Sequence, residues 1–420
     1  MPDALVFYHY FFPDDVAGAA QMSALCAGLV ERGWNVVAMP CNRGWSDESK
    51  SYPAREMWCG IDIERVWRPR LPQSLSLGRL LNAAWMIGRW SLAACNPRRR
   101  PDLLIIGTDP VLSVLAAPCW RILRPRTKLA LWCFDLYPEA AFAEGVLRPH
   151  GLWARVLRAF LGRAYKACHL IADIGPCMRT LLDSYPAPAR RVTLVPWALH
   201  EPTAFPMPDQ AVRSVVFGDA RLALFYSGNF GRAHSLSDLL ELARLTRGMG
   251  LHLAFSIRGN RAQWVRSSVT PADTNVSFVD FASAGELPSR LAAADIHIVT
   301  LREEFTGTVV PSKFFEALAA GRPVLFCGSP RSAIALWIEQ YKLGWVLAPG
   351  RAAEVAAEFT RLLADPGELE RLQQHCYRVY REQFAKTMTL DSWDGHLRDL
   401  LGTPASHPGS ASASTAAGGV

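Results

Sequence analysis

The chain has no C-x-x-C pair, so its ten scattered cysteines offer neither a zinc ligand pair nor a redox dithiol. Their expected state is reduced and mostly buried, as in a cytosolic protein. The chain does not open on a basic stretch, an apolar core and a small-residue cleavage site, the pattern of a signal peptide. No apolar run reaches the ~18 residues that cross a bilayer. The best candidate, 80–95, is interrupted by Asn82 and Arg89. No aromatic-plus-basic reader motif is visible, and a net charge of +7 is too modest to demand nucleic acid, so none is expected as a partner. No carboxylate pair stands in a metal-binding setting, and no internal repeat is evident. The expected metal and cofactor set is therefore none.

What is present is length and alternation. With 420 residues, half of them apolar, the chain can bury two full cores. Short apolar runs at 4–9, 36–39, 103–106, 129–132, 170–174 and 192–195 read as strands. Helical patterns fall between them, at about 18–32, 111–123, 152–166 and 178–184. Strands alternating with helices predict a parallel sheet covered on both faces. A polar, proline-bearing stretch at 200–209 reads as a linker, and the pattern then restarts. Strands are expected at 223–226, 251–257, 276–279, 296–300 and 324–326. Helices are expected at 236–247, 285–293, 312–320, 354–364 and 368–384. The predicted fold class is α/β, with two facing Rossmann-like domains, parallel sheets and an interdomain cleft. The boundaries expected are 1–204, 205–375, a helix in 376–402 packing back on the first domain, and a disordered tail at 403–420, rich in Ser, Ala and Gly.

The most informative stretch runs from Thr306 to Pro323. Thr306, Gly307 and Thr308 form a glycine loop. Pro311 and Ser312 suit a first helical turn, and Gly321 suits the C-cap. Such a loop presents free N–H groups to a phosphate, and Lys313 adds a cation. Glu316, about one turn on, is placed to accept from sugar or ribose hydroxyls. In open parallel sheets ligands bind at the carboxyl ends of the strands, and this loop follows one. A phosphate site beside a hydroxyl-binding carboxylate is what a nucleotide-sugar site needs.

Five segments in order carry a family resemblance: Tyr10-Phe11-Phe12-Pro13 with Gly18; Glu31 through Val36; Trp132 through Glu139; Tyr226 through Arg232; and Val310-Pro311-Ser312-Lys313 through Val324. Over roughly residues 4–385 the chain resembles GT-B glycosyltransferases of the large retaining family 4, in the bacterial polysaccharide branch of colanic acid and O-antigen transferases. The resemblance implies a nucleotide-diphosphate-sugar donor, a glycan or polyprenyl-linked acceptor, retention at the anomeric carbon and no required metal. It implies a cytoplasmic enzyme, peripheral on the inner face of the plasma membrane. Two departures stand out. Thr308 occupies the place of the first of two glutamates eight apart, of which Glu316 is the second. Asn229 and His234 stand where many members place an Arg and a Lys on the pyrophosphate. Rival readings are a sugar-nucleotide 2-epimerase on the same fold and a non-catalytic scaffold of a polysaccharide-assembly complex.

Candidate residues follow from both lines. Gly228 and Gly231 allow close backbone approach to a phosphate, with Asn229, Arg232, His234 and Arg258 nearby. Asp135, after the 129–132 strand, is a candidate to orient or activate the acceptor hydroxyl, with Glu139 beside it. The plain alternative for Asp135 is an N-cap. Gly18 opens a helix whose amides are placed to reach the donor phosphates, and Asp14 and Asp15 are candidates for acceptor hydroxyls. The segment 68–100 holds seven arginines and no acid, with Leu75, Leu77, Leu80, Leu81, Trp85, Ile87 and Trp90 between them. It reads equally as an element lying on an anionic membrane and as a Rossmann-type helix with a solvated basic face.

Overall fold

The structure, a computed structural model, describes residues 1–73, 76–185, 187–283 and 285–403. Leu75 and the tail from residue 404 lie outside the described residues. The first sheet holds β1 (Asp3–Phe7), β2 (Asn35–Ala38), β3 (Arg55–Trp58), β4 (Ile61–Glu64), β5 (Leu103–Gly107), β6 (Lys128–Trp132), β7 (Leu170–Asp173) and β8 (Arg190–Thr193). Their spatial order is β3-β4-β2-β1-β5-β6-β7-β8. All pairs are parallel except the β3–β4 hairpin. The second sheet holds β9 (Leu222–Asn229), β10 (Leu251–Arg258), β11 (Val276–Phe278), β12 (Ile296–Leu301), β13 (Val324–Gly328) and β14 (Gly344–Leu347), parallel throughout in the order β11-β10-β9-β12-β13-β14.

The unbroken apolar runs explain the central strands. All five residues of β5 are buried, as are all six of β12, because helices cover both faces. Two of the elements not expected carry weak sequence signals. β3 has no buried residue, so its pattern carries little signal, and its turn to β4 is made by Cys59 and Gly60, both at positive φ. That geometry normally announces itself with Asn-Gly rather than Cys-Gly. The helix Gln210–Phe217 was hidden by its polar start. Asp209 is its cap, its carboxylate accepting from Ala211 N–H at 2.8 Å.

The strand order reverses between β1 and β5 in one sheet and between β9 and β12 in the other. These are the switch points at which open α/β sheets form crevices. The closing helix Lys386–Leu401 lies on the helix Ala17–Glu31 of the first domain. A Cβ at Gly28 would come within 2.5 Å of Leu390, so only glycine permits this approach. Trp34 Nε1 donates to Asp394 at 2.6 Å, and Trp393 is buried against Trp132. Among the described residues no helix is long and apolar enough to cross a membrane.

Candidate active site

Between the two switch points lies a cavity of about 380 Å³. Its first-domain wall comes from the ends of β1, β5 and β6: Tyr8, Thr108, Asp109, Phe134, Asp135 and Tyr137. The start of the helix Ala17–Glu31 and Pro196 complete that side. Val309, Val310 and Ser312 close it from the second domain.

Gly18 has a packing reason to be glycine. A Cβ there would sit 2.1 Å from the Tyr8 hydroxyl. The helix it opens has no side-chain cap and no acid in its first turn, and its first residues line the cavity. Positive dipole and free amides are therefore presented to whatever fills it.

Asp135 is held by its backbone. Thr108 Oγ1 accepts from the N–H groups of both Phe134 and Asp135 at 3.1 Å, tying the β6 loop to the β5 loop. The Asp135 side chain opens into the cleft, yet both domains wall it in. That enclosure, with the Asp109 and then the Glu144 carboxylate, pushes its carboxyl up to about 6. It does not cap the helix Glu139–Ala143, whose cap is Pro138. Asp109 lies 3.4 Å from His9 Nδ1. Burial opposes charge on His9, but Asp109 outweighs it and the imidazole rises to about 9.

On the second domain, Asn229 gathers the cations. Its carbonyl accepts from Lys313 Nζ at 3.3 Å and its side-chain oxygen from Arg258 Nε at 3.0 Å. Lys313 also sits over the Tyr226 ring, and burial lowers its ammonium to about 8. Gly228, at φ 127, is needed twice, since a Cβ would meet Lys313 Cε at 2.5 Å. Gly231 shows no such constraint, its nearest neighbour being Asn260 Oδ1 at 3.7 Å. Arg232 is exposed, next to this group. The helix after Ser312 is only seven residues long, so Lys313 matters more here than a helix dipole.

Several expected residues lie elsewhere. Glu139 is buried outside the cavity lining, accepting from the Tyr185 hydroxyl at 2.8 Å and paired with Arg158 at 3.4 Å. His234 is turned inward. Its Nδ1 lies 2.9 Å from the Thr300 carbonyl, and burial followed by Lys313 lowers its pKa to about 3. Thr308 turns its hydroxyl inward to the Phe305 carbonyl, while its own carbonyl accepts from Leu136 N–H at 2.9 Å across the cleft. Thr306 shares that turn, forming a bridge with Val309. Gly307, at φ 84, packs on Cys177 of the first domain. Asp14 accepts from Trp45 N–H and the Tyr52 hydroxyl, both at 3.0 Å, and so holds a loop; Asp15 is exposed outside the cavity lining. Arg68 is fully buried, 3.8 Å from Glu48, rather than on a basic face. Glu316 accepts from Leu199 N–H at 2.7 Å and faces His200 at 3.4 Å, which ties its helix to the interdomain linker. It also lines a second, mostly apolar cavity of about 270 Å³ with Pro288, Leu291 and Ala320.

The sequence reading missed Tyr8, Thr108 and Asp109. The signal was available, since all three directly follow β1 or β5, on either side of the switch point.

Residues 221–365 match the family described as Glycosyl transferases group 1. The chain is a glycosyltransferase of the GT-B fold. It is 25% identical over 347 residues to a protein of Pseudomonas aeruginosa named as probable glycosyltransferase WbjE, covering 81% of this chain and 85% of that one. It is also 25% identical over 276 residues to WcaI of Escherichia coli (strain K12), named for colanic acid biosynthesis, covering 61% and 65%. Among solved structures, Anabaena Alr3699/HepE in complex with UDP superposes with a TM-score of 0.66 at 12% identity, over 95% of this chain and all of that one. At that identity the likeness bears on the fold alone.

Proposed function

We propose that this glycosyltransferase moves a sugar from a nucleoside-diphosphate sugar to a hydroxyl of a glycan or lipid-linked acceptor, with retention, in cell-surface polysaccharide or glycoconjugate assembly. The observation that carries the reading is the convergence of Lys313 and Arg258 on Asn229 in the second domain, the domain that closes, through Val309, Val310 and Ser312, the cavity bearing Asp109 and Asp135. The cations and the amides of the Gly18 helix take the diphosphate. Glu316 and its apolar cavity take the ribose side of the nucleotide. The cavity beside Asp135 takes the acceptor hydroxyl. The bond from the anomeric carbon to the phosphate oxygen breaks and the bond to the acceptor oxygen forms on the same face. The acceptor's proton passes to the departing phosphate oxygen, so no separate protein base is needed. The protein contributes positioning and charge stabilisation at the leaving diphosphate. Domain boundaries near 204 and 375 and membrane contact through 68–100 belong to the same reading.

HepE's complex with UDP and the colanic acid assignment of WcaI support the donor class and the pathway class. The epimerase and scaffold alternatives are not favoured by a match to a family of transferases. A thermal-shift screen of nucleoside diphosphates and sugar nucleotides tests the reading. One selective compound should raise the melting temperature by mass action, and the matching donor should release nucleotide only when an acceptor is supplied. Turnover without acceptor points to the epimerase; no stabilising compound at all removes the reading.

A further inference from the structure

We propose that the helix Leu152–Ala167 is a membrane-docking element that seats the rim of the cleft on an anionic lipid surface. Its inner side, with Leu161, Ala164 and Tyr165, is buried on the domain. Its outer side carries Leu152, Trp153, Val156 and Phe160 at helical spacing, exposed by 71%, 75%, 37% and 58%. The last three also line a wholly apolar groove with Leu115 and Leu147. A contiguous apolar stripe that includes a bare tryptophan and a bare phenylalanine marks a contact surface rather than ordinary solvent-facing helix.

The charge on the helix selects the occupant. It carries Arg155, Arg163 and Lys166 and no acid, beside Arg158, which is paired with Glu139. A second copy of the chain would place like patches face to face in a two-fold interface, cation against cation. A surface of anionic headgroups over an apolar layer satisfies both the arginines and the rings.

Topology says which end of the domain is covered. The helix starts after the loop that leaves the carboxyl end of β6, where Asp135 sits. The helix Ser76–Ala93 likewise follows β4, and its exposed Leu77, Leu80 and Leu81 lie in its first half. Both helices pack on the short helix Ser113–Ala116. The apolar starts of both helices therefore gather at the cleft end, and lipid contact there presents a membrane-borne acceptor to the Asp135 cavity.

This proposal rests on the membrane part of the proposed function, not on donor binding, and the two are measured separately. Flotation of the full chain with equimolar phosphatidylglycerol and phosphatidylcholine vesicles, against phosphatidylcholine alone, provides the test. The wild type should float with the anionic vesicles at low salt and be released by high salt. The double variant Trp153→Ser, Phe160→Ser should lose about tenfold or more in partitioning, at an unchanged melting temperature, since it removes only exposed apolar surface. A Leu77→Ser, Leu80→Ser variant gauges the other helix. Three results overturn the proposal: no flotation of the wild type, a double variant that floats as well as wild type, or a wild-type dimer in solution that the double variant dissolves. Loss on the Leu77 variant alone would leave 68–100 as the membrane element and remove 152–167.

Discussion

The two walls of the cleft are built from the same kind of loop, a turn at the carboxyl end of a parallel strand, yet they carry opposite charge. The first-domain wall offers Asp109, Asp135 and the Tyr8 phenol; the second domain gathers Lys313 and Arg258 on Asn229. Enclosure moves each wall towards neutrality, raising Asp135 to about 6 and lowering Lys313 to about 8. Both groups remain mostly ionised at neutral pH, so Lys313 can meet a diphosphate as a cation and Asp135 can accept a hydroxyl hydrogen bond. On the proposed reading the anionic donor belongs to one domain and the hydroxyl acceptor to the other.

The strongest way to break the comparison is on the acidic wall. Asp135→Asn should lower turnover with a full acceptor by ~100-fold, the scale of a misplaced reacting group, because the carboxylate orients the acceptor hydroxyl. Wild-type turnover should fall as the pH drops through about 6, because the ionised carboxylate is the acting form, and the variant should lack that limb. Near-normal turnover in the variant would leave Asp135 as a structural residue.

The His9–Asp109 pair beneath that wall gives the next largest effect. The folded-state pKa of His9 is raised to about 9, so its contribution to stability is complete below the unfolded value and lost as pH rises through about 9. Between pH ~6.5 and ~8 this amounts to roughly 2 kcal/mol. Thermal unfolding across that range should show the decline in wild type and not in His9→Gln.

Two smaller changes sharpen the second wall by leaving it intact. Thr308→Val removes the hydroxyl bond to the Phe305 carbonyl and should cost about 1 kcal/mol in chemical denaturation, with donor affinity little changed. His234→Gln should alter donor affinity by less than about twofold, because a neutral ring adds no Coulomb attraction to phosphate. A larger loss, measured by calorimetric titration of nucleoside diphosphate, would return His234 to the site.

The fold was legible where strands are buried on both faces, as in β5 and β12, because a strand covered by helices on either side must be apolar at every position. It was not legible in β3, which is short and uncovered, or at Asp209, where a cap and a linker residue look alike. Lys313 and Asp135 could be put forward as candidates from their place after strands. Glu139 and His234 misled because a polar residue near a glycine loop reads as a ligand, while its burial and its partners, Tyr185 and Thr300, are distant in sequence. Asp109 was passed over because Thr108-Asp109-Pro110 resembles an ordinary turn. Only the pairing of β1 with β5 brings it opposite His9.

The division between the walls is tested most directly by titrating one nucleoside-diphosphate sugar into wild type, Lys313→Ala and Asp135→Asn. The account predicts at least ~10-fold weaker binding for the lysine variant and a change within about twofold for the aspartate variant. Equal affinity for wild type and Lys313→Ala, or a loss confined to Asp135→Asn, would contradict it.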